Sequence, residues 1–190
     1  MKSGLKMTLI VIGAILVLTI LWIIGSYNSL VNLDESVNEK WANVQTAYQR
    51  RADLIPNLVE TVKRYAEHEE SVFTAVTEAR AKVGSANTPG QLDAAGQEMN
   101  SAISRLLLVA ENYPELKANE NFLSLQDELA GTENRIKTER DIFNNAVKTY
   151  NIKVRRFPTN MLAGMFGFEK KDMFEAAAGS ETAPDVGEIF

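Results

Sequence analysis

A stride of three and four residues, held from Tyr27 to Val83, constrains this chain more than any other feature. It selects Tyr27, Leu30, Asp34, Val37, Trp41, Val44, Tyr48, Arg51, Ile55, Leu58, Val62, Tyr65, Glu69, Val72, Val76, Ala79 and Val83, of which 14 in 17 are apolar. Such a repeat keeps one seam of a helix against a partner helix, supercoiled left-handedly. At 1.5 Å per residue the helix would reach roughly 85 Å. Its one interruption is Pro56, which lacks a backbone donor and crowds the carbonyl four residues back. Either the helix kinks there and continues, or the chain doubles back with Pro56 in the first turn of a new helix. The unbroken seam register on both sides of Pro56 favours the kink.

Ahead of the repeat, residues 7–24 form an uninterrupted uncharged run (MTLIVIGAILVLTILWII). Eighteen such residues are enough to cross a hydrocarbon core of about 30 Å. Trp22 and Tyr27 fall where an interfacial aromatic belt would lie. No A-x-A-like site follows Ile24, so the run reads as a retained span and not as a cleaved signal. Lys2 and Lys6 precede it, whereas residues 25–39 carry three acids and no base. The positive-inside bias then leaves residues 1–6 in the cytoplasm and the helical domain outside it.

Past the first helix, Thr88 reads as an N-cap, Pro89 as the first helical residue and Gln91 as the capping-box partner. Gly84 takes the usual C-terminal place of the helix before. A second helix follows through Leu92, Met99, Leu106 and Tyr113 and stops at Pro114. A third runs from about Asn119 to Phe157, with Phe122, Leu129, Ile136, Phe143 and Tyr150 in phase, and ends at Pro158. Residues 158–174 form an apolar, glycine-containing segment too short to span a bilayer, and 175–190 an acidic tail expected to be mobile. The fold expected is all-α: a transmembrane helix, then an elongated antiparallel bundle over 27–157. The bundle has three long helices, or four segments if the chain folds back at Pro56.

Charge excludes one large class of partners. Five acids and no base follow Lys171; without them the chain holds 20 acids and 20 bases, which offers no basic footprint for nucleic acid. There is no cysteine. The single histidine, His68, lies outside H-E-x-x-H and Glu-x-x-His spacings, and no G-x-S-x-G, S-x-x-K, P-loop or G-x-G-x-x-G occurs. The expectations are no enzymatic activity, no catalytic residue, no metal, no cofactor and no small-molecule substrate.

Three stretches are more specific: Tyr27-Asn28-Ser29-Leu30-Val31, then Trp41 to Val59 with its Arg50-Arg51-Ala52-Asp53-Leu54-Ile55-Pro56-Asn57-Leu58 element, and Tyr150-Asn151 to Phe157-Pro158 with Phe166-Gly167-Phe168. They resemble the LemA family of bacterial membrane proteins. The resemblance implies a helical domain on a single N-terminal anchor in the bacterial cytoplasmic membrane. It implies no settled biochemical activity; some relatives are associated with membrane remodelling or envelope stress. Arg51, Asp53, Pro56 and Asn57 would be motif residues without a catalytic role.

Charges on the seam are costly to bury unpaired, so Arg51 is expected to meet an acid of another helix or to snorkel. Arg50-Arg51 and Arg155-Arg156 otherwise read as solvated faces. If the first helix is one rod, Tyr27, Leu30, Val37, Trp41, Val44 and Tyr48 lack cover within the chain and form an interface between copies. The function expected is a membrane-anchored scaffold that self-associates and organises the envelope. The alternative is an adaptor presenting its bundle to a larger envelope complex, such as a membrane protease. Phe157, Met161, Leu162, Met165, Phe166 and Phe168, following Arg155-Arg156, are a docking segment for a membrane surface or a partner's groove, unless they pack on their own bundle.

Overall fold

The computed structural model describes residues 2–66 and 68–175. Six helices account for almost all of them, and there is no strand among the described residues: α1 (Lys2–Lys63), α2 (Glu70–Ser85), α3 (Pro89–Ala110), α4 (Pro114–Lys117), α5 (Glu120–Arg155) and α6 (Thr159–Phe166). The acidic tail expected from residue 175 lies, beyond Glu175, outside the described residues.

The helix that begins with the apolar run does not reach Val83, and the chain does not reverse at Pro56. α1 continues through Pro56 and stops at Lys63. The turn that follows contains no glycine or proline, so backbone chemistry did not announce it. Packing places it: Ala66 is buried in the turn, its N–H donates to the Val62 carbonyl at 3.0 Å, and the Tyr65 hydroxyl accepts from Asn119 Nδ2 at 3.2 Å. Helix propensity is a weak prior that tertiary contacts override. α2 then returns along α1, because Arg80 meets Ala52, a residue as far before Ala66 as Arg80 is after it.

Local capping mostly follows the residues. Thr88 Oγ1 accepts from the Gln91 N–H at 3.3 Å with Pro89 at N1, while Gln91 Oε1 accepts from Asn87 N–H at 3.0 Å, one residue earlier than a capping box requires. Asn119 Oδ1 accepts from the Phe122 N–H and starts α5. Gly84 lies inside α2, which ends one residue later at Ser85. Pro114 opens the short α4, four residues after α3 ends.

The chain divides into two compact units. One holds residues 1–47 and 135–172. Its core takes Leu30, Val37 and Val44 from α1 and Ile136, Phe143, Val147 and Tyr150 from α5, with Trp41 tilted on Phe143 at 5.5 Å between ring centroids. The buried line on α5 runs Ile136, Glu139, Phe143, Val147, Tyr150, Val154. That is the 3.6-residue period of an α-helix, under which Val147 and Val154 fall on the buried side.

The other unit holds 48–134 and the described residues from 173 on. Leu58, Val62, Val76, Leu92, Met99, Leu106 and Leu116 form its core. Tyr48 is also buried here, against α3 at Gly96, where a Cβ would come within 2.6 Å of the tyrosine ring. Glycine at this position is a condition of close approach, since its own backbone is ordinary helix.

Candidate functional site

The motif element Arg50–Leu58 sits on the second half of α1, and each polar member has a separate task. Pro56 offers no N–H to the Ala52 carbonyl, which would normally receive it. Arg80 of α2 supplies the missing donor: its Nε gives a hydrogen bond to Ala52 O at 3.0 Å. The Arg80 Nη2 lies 3.8 Å from Asp53 Oδ1, and the same carboxylate oxygen accepts from Gln49 Nε2 at 2.8 Å. Asp53 therefore positions the arginine that repairs the helix, and helix and partner are stitched together at the proline.

Arg51 points the other way and pairs through Nη1 with Glu133 of α5. It is only 6 % exposed, so it is no part of a solvated basic face as its neighbour Arg50 is. Its Nε is buried without a hydrogen-bond partner. Burial pushes the guanidinium down from its ordinary value, opposed by Tyr48.

Asn57 faces a cleft of about 390 Å³, lined also by Glu60, Arg64, Tyr65, Asn119 and Glu128. Arg64 and Glu60 pair across one helical turn at 2.8 Å. Thr61, also on its wall, donates its hydroxyl to the Asn57 carbonyl. The walls offer amides, carboxylates and a guanidinium, suited to holding a polar group, but no imidazole to act as a base at neutral pH. Among the described residues no three His, Asp or Glu converge as metal ligands, and His68 lies exposed in the turn after α1.

A second polar cluster, in the other unit, was not foreseen. Lys171 Nζ pairs with Asp34 Oδ1 at 2.8 Å, donates to Asn38 Oδ1 at 2.9 Å and lies 5.4 Å over the Tyr150 ring. Its backbone is held by Asn151, which accepts from Lys171 N–H at 2.9 Å and donates to Lys171 O at 2.8 Å. Desolvation, then the charge of Asp34 and a hydrogen bond to it, push the Tyr150 hydroxyl up to about 12. The sequence signal was weak: Asp34 and Tyr150 were visible as seam positions, but nothing marked Lys171 as the residue that returns to them.

Most of the proposed interface stripe is covered from within the chain, though Tyr27 stays 39 % exposed and Trp41 is half-buried. Leu30, Val37, Val44 and Tyr48 are buried, Trp41 stacks on Phe143, and Tyr27 meets Phe166 and Phe168 edge to face at 5.0 and 5.9 Å. The expectation of an open stripe rested on a first helix continuous to Val83; α5 and α6 instead come back to residues 27–44. The docking segment divides. Leu162 is buried and Phe168 half-buried, whereas Phe157, Met161, Met165 and Phe166 are exposed.

These features define an all-helical protein whose N-terminal helix is long and apolar enough to cross a membrane, with none of its most apolar stretch buried. The chain belongs to the LemA family, whose family model matches residues 40–187. It is 26% identical to magnetosome protein MamQ 2 of Paramagnetospirillum magneticum, over 86% of this chain and 70% of that protein. It is 24% identical, with the same coverage, to magnetosome protein MamQ of Magnetospirillum gryphiswaldense. Protein LemA of Metamycoplasma hominis is 22% identical over 87% of this chain and 76% of that protein.

Proposed function

We propose that this chain is a non-enzymatic scaffold held on the bacterial cytoplasmic membrane by residues 7–24, with Lys2 and Lys6 on the cytoplasmic side and the helical domain outside. The observation that carries it is α1 itself: eighteen uncharged, mostly apolar residues, none of them buried, lead without a break in the helix into the buried seam. Exposed apolar surface of that extent is stable only in lipid or under a partner. Relatives named as magnetosome proteins support a role in organising a membrane, exercised through assembly.

Because most of the stripe at residues 27–48 is buried within the chain, contacts between copies would use other surfaces, such as the span. Light scattering on a sizing column, with detergent mass subtracted, tests the reading on full-length protein. A discrete multiple of the 21.1 kDa chain is expected of a self-assembling scaffold. The self-closed cores favour a second reading, an adaptor to a larger envelope complex; a monomer that copurifies with a stoichiometric second protein would establish it and sink self-association.

A further inference from the structure

α6 is apolar on opposite sides. Leu162 and Ala163 face inward and are buried, while Met161 and Met165, four residues apart, are 63 and 77 % exposed, as is Phe157, two residues ahead of the helix, at 76 %. A helix of a water-facing domain ordinarily has one apolar stripe and a polar back. Two apolar sides describe a helix held between its own domain and a second apolar medium.

The position of α6 identifies that medium. Its last residue, Phe166, meets the ring of Tyr27, and Tyr27 stands three residues beyond Ile24 on the same helix. Three residues rise about 4.5 Å, less than the polar layer of roughly 5–7 Å on each side of a bilayer core. Charge agrees with it. Residues 148–172 contain six bases and two acids, and Arg155 and Arg156, just ahead of α6, are exposed. A basic flank beside Phe and Met side chains suits the boundary between acidic headgroups and acyl chains.

We infer that α6 is a second membrane contact, its Met161–Met165 side and the preceding Phe157 lying in the headgroup layer of an anionic leaflet beside the point where α1 emerges. This rests on the reading of residues 7–24 as a span. With α1 as one point of attachment and α6 as another, the unit is fixed in tilt as well as in place.

The chain lacks cysteine, so single cysteines can carry an environment-sensitive dye in otherwise native full-length protein. Four variants, Met161→Cys, Met165→Cys, Ser104→Cys and Ala14→Cys, are reconstituted in phosphatidylcholine vesicles with or without phosphatidylglycerol. Each is then exposed to lipid bearing a nitroxide quencher, placed shallow for positions 104, 161 and 165 and near the end of the acyl chain for position 14, which lies close to the middle of the span. The expected result is about twofold stronger quenching at positions 161 and 165 than at 104, increased by phosphatidylglycerol and reduced by the pair Arg155→Glu and Arg156→Glu. Quenching at 14 but not at 161 or 165 overturns the inference while leaving the anchor intact. So does shielding of 161 and 165 that appears only as protein density rises, which marks a second copy as the occupant. An unquenched position 14 overturns the anchor reading, and the inference with it. Insensitivity to charge reversal removes the anionic lipid from it.

Discussion

The contact between Arg80 and the Ala52 carbonyl shows why a proline can persist in the middle of a structural helix. Proline in a helix interior costs about 3 kcal/mol or more, part of it from the carbonyl left without its donor. A charged donor from α2 meets that loss directly. Truncating Arg80→Ala should therefore destabilise the fold by about 1–3 kcal/mol. In Pro56→Ala, whose restored N–H satisfies Ala52, the same truncation should cost much less. Chemical denaturation of the four proteins of this cycle measures the coupling, and purely additive effects would show that arginine and proline act independently. Tyr150 supplies a prediction in pH. Its folded pKa, about 12, lies above the ordinary tyrosine value. The neutral form is thus favoured by folding, and that contribution is complete below pH 10 and lost as pH rises from there through 12. An absorbance titration should show a tyrosine ionising near pH 12 that is absent in Tyr150→Phe.

At the scale of elements, packing decides what periodicity left open. The 3–4 stride identified the helical class and the α1 seam, and the cap chemistry of Thr88 the start of α3, because both depend on residues near in sequence. It missed the end of α1, because a seam continues in phase through any turn that keeps helix-forming residues, and residues 64–69 are of that kind. The Arg51, Asp53, Pro56 and Asn57 positions could be picked out as a motif. Their partners Arg80 and Glu133 could not, since each lies on another helix and nothing in a spacing encodes which one. Gly96 belongs with these hidden constraints. A methyl group there would overlap the buried Tyr48 ring, so Gly96→Ala should lower stability by about 1–3 kcal/mol despite its better helix propensity. Thermal unfolding checks the sign: a gain in melting temperature would mean that Tyr48 swings aside without cost.

For the molecule as a whole, the unbroken passage of α1 from residue 24 to residue 27 has a geometric consequence. A flexible linker would let the part outside the membrane choose its own bearing; a continuous helix passes on the rotation of the span like a keyed shaft. One alanine inserted between Ile24 and Tyr27 would turn everything beyond it by about 100°, and a second by about 200°, whereas seven would come within about 20° of the starting angle. With residues 7–24 in a bilayer as proposed, Tyr27, and α6 through it, would face that bilayer at an azimuth written in the phase of the helix, and the length of the crossing would be as much a determinant of the protein as any side chain on it.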